Sequence, residues 1–392
     1  MTNVVISSAA RTAIGSYGKS LAGIAPTELG ATAATAAIER AGLEPEQIEH
    51  VVFGNVIHTD TTDPYMARVV GMKAGIPKET PAFTVNRLCG TGVQALVSAA
   101  QAIQTGEASV TLAGGAESMS RAPMWLTQGR WGSKMGPAPV VDPVQGTLSD
   151  PFSDIKMGVT AENLAERMSI SREDQDAFAV ESHRRASAAQ AAGRFDSEIV
   201  PVAVRVKRET VDFAADEHIR HEVDQAGMAK LPAIFKREGT VTAGNASGMN
   251  DAGAALVLMS ADKAQELGAP VRARILAYAS CGVEPEVMGI GPVPAVRKVL
   301  DRTGVKLEDI GVIELNEAFA AQSLAVIRDL GLDPAKVNPN GGAIALGHPI
   351  AATGAAITTK CLSEMERGDH EYGLVTLCIG GGQGIALLLG RA

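Results

Sequence analysis

The sequence predicts an α/β protein built from two similar halves, and two observations support that prediction. First, segments typical of buried strands alternate with helical patterns at both ends of the chain, an order that layers helices against sheets. Second, the two ends resemble each other, which implies a duplication whose copies pack about a pseudo-twofold axis. With 392 residues, the chain is also long enough for two or more domains.

Matched segments define the start of each half. In the first half, a helix closed by Gly42 leads through an acidic turn to a buried strand at Val51 to Ile57. In the second half, a helix closed by Gly304 leads in the same way to a strand at Val312 to Asn316. The two halves are therefore predicted to begin with the same helix, turn and strand.

Both halves also contain a Thr-Gly pair at the same offset. Thr91-Gly92 opens an apolar helix behind Cys89, and Thr353-Gly354 lies at the matching position behind His348. The helix behind Cys89 is thus predicted to have a twin behind His348.

A long insertion separates two strands of the first half. The strands at Val375 to Leu377 and Gly384 to Leu389 are joined by a few glycines, whereas their counterparts at Val110 to Leu112 and Gly253 to Leu258 lie far apart in the sequence. We therefore predict an N-terminal half of residues 1–118 with 251–271, an inserted loop domain of residues 119–250, and a C-terminal half of residues 272–392.

The insertion is predicted to begin as irregular cover and then to become helical. Its first part, from Ser118 to Met157, is rich in Gly, Pro, Met and Trp, which favours loops. Ser171 is a typical helix N-cap and Gly193 a typical helix end, so a helix is predicted between them. A strand is predicted from Ile199 to Val206. The basic residues in and after that strand are Arg205, Lys207, Arg208, Arg220 and Lys230.

Composition limits the classes of function. Hydrophobic residues make up 46% of the chain and charged residues 20%, as in folded globular proteins. No apolar run approaches the roughly 20 residues that span a bilayer, and a net charge of −9 argues against nucleic acid or anionic membranes as partners. Four scattered cysteines indicate neither a disulfide framework nor a metal site. With no export signal at the N-terminus, a cytoplasmic location is expected.

Cys89 is the first candidate functional residue. It lies in the segment Asn86 to Gly92, directly before an apolar helix. The N–H groups of the first turn and the positive end of the helix dipole favour a thiolate there, so the pKa of Cys89 is expected to fall below that of a free cysteine. A lone cysteine is more often buried and inert, but Cys89 is accompanied by further reactive groups.

Those groups are His348 and Cys378. His348 lies in the glycine-rich segment Gly341 to Pro349, and Cys378 precedes the glycines at 380 to 382. Two thiols and an imidazole on tight turns suit covalent acyl transfer to a carbon acid. One thiolate takes the acyl group, the imidazole activates that thiol, and the second thiol moves a proton at carbon.

These motifs resemble those of the thiolase family, specifically its biosynthetic branch of acetyl-CoA acetyltransferases and β-ketothiolases, over essentially the whole chain. The resemblance implies the thiolase fold, in which two duplicated halves of the αβαβα type surround a pseudo-twofold axis and carry an inserted loop domain. The matching segments are Asn86 to Gly92, Gly114 to Met119, Gly239 to Gly248, Asn316 to Ala320, Gly341 to Pro349, and Cys378 to Gly382.

The resemblance implies a role for each catalytic residue. His348 removes the proton of Cys89, which then takes the acyl group as a thioester, and Cys378 moves a proton at the methyl carbon of a second acyl-CoA. His348, together with a water held by Asn316, binds the enolate oxygen. The backbone N–H groups of Cys89 and Gly380 bind the other thioester oxygen, as an enolate intermediate needs. The implied reaction is a reversible Claisen condensation of acetyl-CoA with a short acyl-CoA.

Coenzyme A is implied as part of the substrate and not as a permanently bound cofactor. In a family member it lies along the insertion, with Ser247 near the pantetheine and Arg220 near the nucleotide end, where cations can meet its phosphates. The residues expected to contact it are Arg220, Ser247, Lys156, Met157, Ala318 and Phe319.

Three positions differ from the usual family pattern. Lys156 stands where histidine is common, near the acyl and pantetheine pocket of relatives, and it is expected to turn to solvent or the phosphates, or to pair with Asp154. Ala351 replaces a glycine after the His348 motif, and Leu315 replaces a small residue before Asn316. None of these changes removes a catalytic group.

Two other classes of enzyme fit the sequence less well. A dinucleotide-dependent dehydrogenase is disfavoured because the glycines at 380 to 384 lack the G-x-G-x-x-G spacing and lead into a strand. A ketoacyl synthase, which loads from a carrier protein, is disfavoured by Cys378. Two alternatives stay open: a degradative 3-ketoacyl-CoA thiolase with a preference for longer chains, and a redox-sensing role through a reversible disulfide between Cys89 and Cys378.

The resemblance also carries expectations about biology. The resemblance is strongest to β-ketothiolases of polyhydroxyalkanoate synthesis, which suggests that pathway. Claisen condensation and its reverse also occur in fatty acid metabolism. Relatives are commonly homotetramers, and the Gly-, Met- and Trp-rich part of the insertion is expected to supply the contacts between subunits.

Overall fold

The computed structural model describes residues 3–392 and confirms the α/β class. Strands and helices alternate through both ends of the chain. The strands are β1 (Val4–Thr12), β2 (Gly15–Ser16), β3 (His50–Gly54), β4 (Ala82–Val85), β5 (Val110–Ser118), β6 (Trp125–Leu126), β7 (Val140–Val141), β8 (Ile199–Val200), β9 (Val202–Val206), β10 (Glu209–Phe213), β11 (Asn250–Ser260), β12 (Ala273–Gly282), β13 (Ile310–Leu315), β14 (Tyr372–Ile379) and β15 (Gln383–Arg391).

The helices pack on both sides of these strands. They are α1 (Pro26–Arg40), α2 (Met66–Lys73), α3 (Thr91–Gln104), α4 (Pro143–Thr147), α5 (Met157–Arg167), α6 (Arg172–Ala191), α7 (Gln225–Ala229), α8 (Ala261–Leu267), α9 (Pro292–Thr303), α10 (Ala320–Leu330), α11 (Ala343–Leu346) and α12 (Ile350–Arg367). Among residues 3–392, no helix is both long and apolar enough to cross a membrane.

The order of strands shows the duplication directly. From one edge inward it reads β13, β14, β15, β12, and it continues as β1, β11, β5, β3, β4. In each half, the first main strand (β1 or β12) lies nearest the middle. The second (β3 or β13), the third (β5 or β14) and the fourth (β11 or β15) follow one another from the outside toward it. The strands of the two halves are joined by β1 and β12, where Val5 pairs with Arg274 and Ile6 with Ala273. A pseudo-twofold axis between β1 and β12 relates the two sets.

Two long helices, α3 and α12, lie in the middle of the molecule. They contact strands of both halves, and side chains of α3, α12, β5 and β14 share one apolar core. Gly92 of α3 and Gly354 of α12 form the crossing point, where a Cβ on either glycine would overlap backbone atoms of the opposite helix. These are the glycines that the duplication aligns, so the predicted twin helices meet at the axis.

The remaining helices form the outer layers. Helices α1, α2 and α8 cover the first half around a core that includes Phe53 and Leu112. Helices α9 and α10 cover the second half around Leu315 and Leu388. The order of layers is therefore helix, sheet, helix, sheet, helix. Leu315, which replaces the small residue usual before Asn316, packs into this outer core.

The inserted segment leaves β5 at Ser118 and rejoins the sheet at Asn250. Its first part is exposed and mostly irregular from about residue 122 to 142, as predicted. Helix α6 confirms the predicted caps, since the Ser171 hydroxyl accepts from the N–H of Asp174 and Gly193 has a φ of 66°. The three-part division of the chain stays a prediction, because segment boundaries alone do not define independent domains.

Some predicted strand limits were wrong. The strand predicted from Val51 to Ile57 ends at Gly54, because the chain turns there so that Asn55 and Ile57 reach the side chain of Glu117. The strand predicted from Ile199 to Val206 is broken at Pro201, which has no N–H to donate to a ladder.

The helix crossing gives a direct test of the architecture. Gly354→Ala is expected to destabilise the protein by about 1–3 kcal/mol, the usual effect of adding a methyl group to a packed core, because its Cβ meets the backbone of α3. Gly146→Ala is the matched control, since Gly146 lies in helix α4 with no atom within 4 Å of the added Cβ. Thermal denaturation followed by circular dichroism measures both. An apparent Tm for Gly354→Ala equal to or above that of the control would contradict the crossing.

Candidate active site

Cys89 lies in a single helical turn, Leu88–Gly90, that leads directly into α3. Side chains of the same segment hold this turn. The Asn86 carboxamide oxygen accepts from the N–H of Leu88 at 2.9 Å, and the Thr91 hydroxyl accepts from the N–H of Arg87 at 2.8 Å. Leu88 has a φ of 47°, in the left-handed region that a branched side chain rarely adopts. Local strain of this kind persists only where neighbouring contacts enforce it, as they do here beside the thiol.

His348 occupies the corresponding position in the second half, just before α12. Its backbone N–H donates to Asn250 Oδ1 at 2.9 Å, and its ring Nδ1 lies 2.7 Å from Thr353 Oγ1. The other ring nitrogen, Nε2, is buried without a protein partner. The preceding residue, Gly347, has a φ of 106° and lies against Asn250, so only glycine fits there.

Cys378 is the penultimate residue of β14 and is fully buried. The strand continues into a turn in which Gly381 and Gly382 have φ values of 78° and 81°, which glycine alone adopts freely. Gly380 begins that turn, and its backbone N–H lies close enough to Cys89 to favour the thiolate form of that side chain. The turn after β14 therefore brings a backbone donor of one half to the nucleophile of the other.

Asn316 follows β13 on a loop that is held by two buried residues. Asn338 clamps this loop, accepting from the N–H of Leu315 at 2.9 Å and donating to its carbonyl at 2.8 Å. Glu317 accepts from Asn338 Nδ2 at 2.8 Å and from the Ser182 hydroxyl of the insertion at 2.7 Å. The side-chain amide of Asn316 is itself buried, and neither its nitrogen nor its oxygen has a protein partner. Such a fixed, unpaired amide is suited to binding a polar atom of a ligand or a water.

One cavity lies between Cys89, His348 and Gly380, and neither Cys378 nor Asn316 is among its lining residues. Its volume is about 60 Å³, and both halves and the insertion contribute to its walls. Most of the lining is apolar, which excludes water from the thiol and the imidazole. The lining residues are Leu88, Cys89, Thr147, Leu148, Met157, Ser247, Met288, Ala318, Phe319, His348, Ile350 and Gly380.

The surroundings keep both thiols protonated. Burial raises the pKa of Cys89, and a smaller effect of the N–H groups of Gly380 and Cys89 itself opposes that rise. Burial also raises the pKa of Cys378, and the nearby Cys89 raises it further. The expectation that the helix start lowers the pKa of Cys89 was therefore wrong. Although the side chain of Cys89 keeps some exposure to the cavity, the apolar walls disfavour a thiolate more than the turn favours it.

His348 stays neutral in this setting. Burial lowers its pKa to about 4, so the imidazole is unprotonated at any pH above that value. A neutral ring can accept a proton, which a thiol with a raised pKa requires from its neighbour. Glu117 lies near Cys89 and is also affected by burial, which raises its pKa to about 8. Its carboxyl accepts from the N–H groups of Ile57 and Ala351 at 3.1 Å, so it ties the first half to the start of α12.

The structure brings most of the predicted site residues together. Met157, Ser247, Ala318 and Phe319 line the same cavity as Cys89 and His348. Ala351 is fully buried and its N–H is satisfied by Glu117, so the added methyl group is accommodated.

Two predicted contacts lie outside the cavity. Lys156 is exposed and its Nζ donates to the Ser149 hydroxyl at 2.8 Å, in an open cleft on the far side of the Leu148 and Met157 segment. Of the two expected orientations, Lys156 turns to solvent, and it does not pair with Asp154 because the ammonium reaches Ser149. Arg220 lies on the surface, with its backbone N–H donating to His183 at 3.1 Å.

Sequence reasoning missed Asn338, Thr353 and Glu117. Asn338 has a φ of 45°, and an asparagine followed directly by a proline, here Pro339, is a signal for a turn. Thr353 was noticed only as part of the duplication. Glu117 lies within the motif from Gly114 to Met119, but nothing in the spacing of that motif shows that its side chain reaches across to α12.

Comparisons with known proteins agree with this geometry. Residues 4–262 match the model of the thiolase N-terminal domain, and residues 269–391 match that of the thiolase C-terminal domain. The chain belongs to the thiolase family.

Individual relatives fall within its acyltransferase branches. The chain is 54% identical to the β-ketothiolase BktB of Cupriavidus necator, over 99% of each chain. It is 51% identical to an acetyl-CoA acetyltransferase of Pseudomonas aeruginosa, over 100% of each. Among solved structures, human mitochondrial 3-ketoacyl-CoA thiolase superposes with a TM-score of 0.98 at 43% identity, covering 100% of this chain and 99% of that one. The fold is therefore the thiolase fold, as the sequence predicted.

The position of Lys156 leads to a test of what shapes the cavity. Lys156→Met keeps the side-chain stem but removes the ammonium, which lies outside the cavity. The ratio of kcat/KM for acetoacetyl-CoA and 3-ketovaleryl-CoA in thiolysis should then stay within about twofold of wild type. That change is well below the roughly 10- to 200-fold difference in kcat/KM that one methylene group can produce in a pocket. Met288→Ala, which enlarges the cavity, is the comparison and should raise the relative rate of the longer substrate. A larger shift for Lys156→Met than for Met288→Ala would place the lysine in the acyl pocket.

Proposed function

We propose that the protein catalyses the reversible Claisen condensation of acetyl-CoA with a second acetyl-CoA or another short acyl-CoA, giving a 3-ketoacyl-CoA and CoA. The observation that carries this proposal is the composition of one cavity. It joins a thiol, a neutral imidazole and a backbone donor, and the first thiol raises the pKa of a second thiol nearby. Two thiols with separate surroundings suit a reaction that needs both a nucleophile and a base at carbon.

The first half-reaction acylates Cys89. His348 Nε2 accepts the thiol proton as Cys89 Sγ attacks the thioester carbonyl. The C–S bond to CoA then breaks, and the departing CoA thiolate takes a proton from His348. The N–H groups of Gly380 and Cys89 stabilise the negative charge on the carbonyl oxygen, at the point where it develops.

The second half-reaction forms the carbon–carbon bond. Cys378 first gives up its own proton to His348, and the resulting thiolate removes a proton from the methyl carbon of a second acetyl-CoA. The enolate oxygen is bound by the Nε2 proton of His348 and by a water on Asn316. The enolate carbon attacks the acyl carbonyl on Cys89, which releases the Cys89 thiolate, and that thiolate takes back the proton from His348. Thiolysis of a 3-ketoacyl-CoA follows the same steps in reverse.

The two thiols influence each other in a way that orders these steps. A charged Cys89 raises the pKa of Cys378, so two thiolates are disfavoured in the same apolar space. Acylation fixes Cys89 as an uncharged thioester, so that repulsion cannot arise while the acyl group is in place. Cys378 is therefore easier to deprotonate beside the acylated Cys89 than beside a Cys89 thiolate, which suits a ping-pong sequence.

Substrate recognition follows from the walls of the cavity. Ser247 and the apolar side chains of Met157, Ala318 and Phe319 surround the acyl and pantetheine part. Arg220 is free at the surface to meet the phosphates. Bulky side chains, among them Met288 and Phe319, close the cavity, which supports a short acyl chain over the longer chains of a degradative thiolase.

Pathway, location and assembly belong to the same proposal. Resemblance to a β-ketothiolase supports a role in supplying 3-ketoacyl-CoA for polyhydroxyalkanoate synthesis in the cytoplasm. A homotetramer is supported by the exposed apolar side chains of the insertion, which another copy of the chain would cover. Those side chains are Met124, Trp125, Leu126, Trp131, Met135 and Val140.

The nucleophile is tested by covalent labelling. Incubation with acetyl-CoA should add one acetyl group to wild type, seen by intact mass, and Cys89→Ala should abolish it. Cys281→Ala is the matched control, because Cys281 is also a partly exposed free cysteine but lies outside the cavity. A stable acetyl adduct on Cys89→Ala would refute the assignment.

The second thiol should fail at a different step. An alcohol is a far weaker base than a thiolate, so Cys378→Ser is expected to slow condensation by about 10²- to 10⁴-fold, the usual contribution of a general base. Acetylation of Cys89 should survive in part, since Cys378 takes no proton in that step. Rapid-quench measurement of acetyl-enzyme and of acetoacetyl-CoA separates the two rates. Equal losses in both steps of a folded variant would count against separate roles.

A further inference from the structure

The hydrogen bond between His348 and Thr353 is the least explained contact of the site. Thr353 Oγ1 lies 2.7 Å from His348 Nδ1, and both side chains are buried. Among residues 3–392, the ring of His348 has no other hydrogen-bond partner, because Nε2 is buried without one. Within that part of the chain, the hydroxyl of Thr353 is therefore the hydrogen-bonding group that fixes how the ring is oriented and where its proton lies.

Thr353 differs in this respect from its neighbours on the same helix. The hydroxyls of Thr358 and Thr359 donate to the carbonyl oxygens four residues earlier, at 2.7 and 2.9 Å. This is the common arrangement for threonine within a helix. The Thr353 hydroxyl instead points out of the first turn of α12 toward the imidazole.

The chemistry explains why a hydroxyl suits this position. As a base toward Cys89, His348 needs a lone pair on Nε2, so its proton must lie on Nδ1. As a donor toward an enolate, it needs a proton on Nε2, and Nδ1 either accepts a hydrogen bond or is protonated as well. A carboxylate partner only accepts and would hold the proton on Nδ1, whereas a hydroxyl both donates and accepts. Resting on the proposed function, we propose that Thr353 is a positioning residue that lets His348 alternate between base and hydrogen-bond donor.

The duplication supports this assignment independently. Thr353 is the counterpart of Thr91, whose hydroxyl accepts from the N–H of Arg87 at 2.8 Å and so holds the turn that carries Cys89. Each half thus uses the threonine of its Thr-Gly pair to fix its own reactive residue, while the glycine makes the helix crossing.

The surroundings of Thr353 leave its hydroxyl to the histidine. Behind it lies a small cavity of about 20 Å³, whose lining includes the two cations Arg11 and Lys360. Lys360 is paired with Glu314 at 2.9 Å, and Arg11 is paired with Asp216 at 2.8 Å. Since both cations are neutralised by buried partners, neither competes with the imidazole for Thr353.

The test compares three variants of the full-length protein. Thr353→Val removes the hydroxyl and keeps the shape, Thr353→Ser keeps the hydroxyl, and Thr359→Val removes a hydroxyl that bonds only the helix backbone. In Thr353→Val, His348 Nδ1 has no hydrogen-bond partner. A buried N–H costs more free energy to leave unpaired than a buried lone pair does, so Nδ1 is expected to stay unprotonated. The ring then carries its proton on Nε2 and is a poor base.

Thr353→Val is therefore expected to slow acetylation of Cys89 by about 10- to 100-fold, the equivalent of one unpaired buried group. Condensation from fully preloaded acetyl-enzyme should slow by less. Thr353→Ser should restore both rates, and Thr359→Val should match wild type. Equal slowing of both steps, or failure of serine to restore them, would overturn the switching role, as would rates for Thr353→Val within twofold of wild type.

A second readout separates this inference from the proposed function. Alkylation of Cys89 by iodoacetamide at neutral pH needs no acyl-CoA, yet it depends on His348 as a base, so Thr353→Val should slow it and Thr353→Ser should not. If wild type forms no acetyl-enzyme, the proposed function fails, while the alkylation rates still decide whether Thr353 positions the imidazole. Unchanged alkylation in Thr353→Val would overturn the inference even if wild type transfers acyl groups.

Discussion

The close approach of two helices at Gly92 and Gly354 is the constraint on which the rest of the structure depends. Because neither residue has a Cβ, α3 and α12 come into backbone contact on the axis that relates the two halves. The residues immediately before these helices are then forced to the same end of the interface. That end holds Cys89 before α3 and His348 before α12. A duplication that began as a symmetric core has thus placed two different reactive groups side by side.

Burial then decides the chemistry of those groups. The apolar cavity raises the pKa values of Cys89 and Cys378 and lowers that of His348, so the resting site holds two thiols and a neutral imidazole. Charge appears only as protons move between them and the substrate. Fixed donors such as the N–H of Gly380 are in place before any charge forms, and in a cavity with little water they act at their greatest strength.

The sequence was sufficient for the architecture and for most of the site, for reasons that particular residues illustrate. Repeated Thr-Gly pairs, glycine-closed helices and the motifs around Cys89, His348 and Cys378 are local signals, and the structure brings Cys89 and His348 into one cavity with Met157, Ser247 and Phe319. Effects that depend on distant packing were not readable. The raised pKa of Cys89 comes from walls supplied by all three parts of the chain, and the direction of Lys156 depends on Ser149, seven residues earlier.

The most direct measurement of the central claim is a crystal structure of the protein after exposure to acetyl-CoA. If both halves act on one acyl group, the acetyl group will lie on Cys89 Sγ and its carbonyl oxygen will point to the N–H of Gly380. His348 Nε2 and Cys378 Sγ will both face the reacting carbons. Thr353 should remain bonded to the imidazole. Acetylation of Cys378 or Cys361 instead of Cys89, or an acetyl group that reaches neither Gly380 nor His348, would contradict the convergence of both halves on one acyl group.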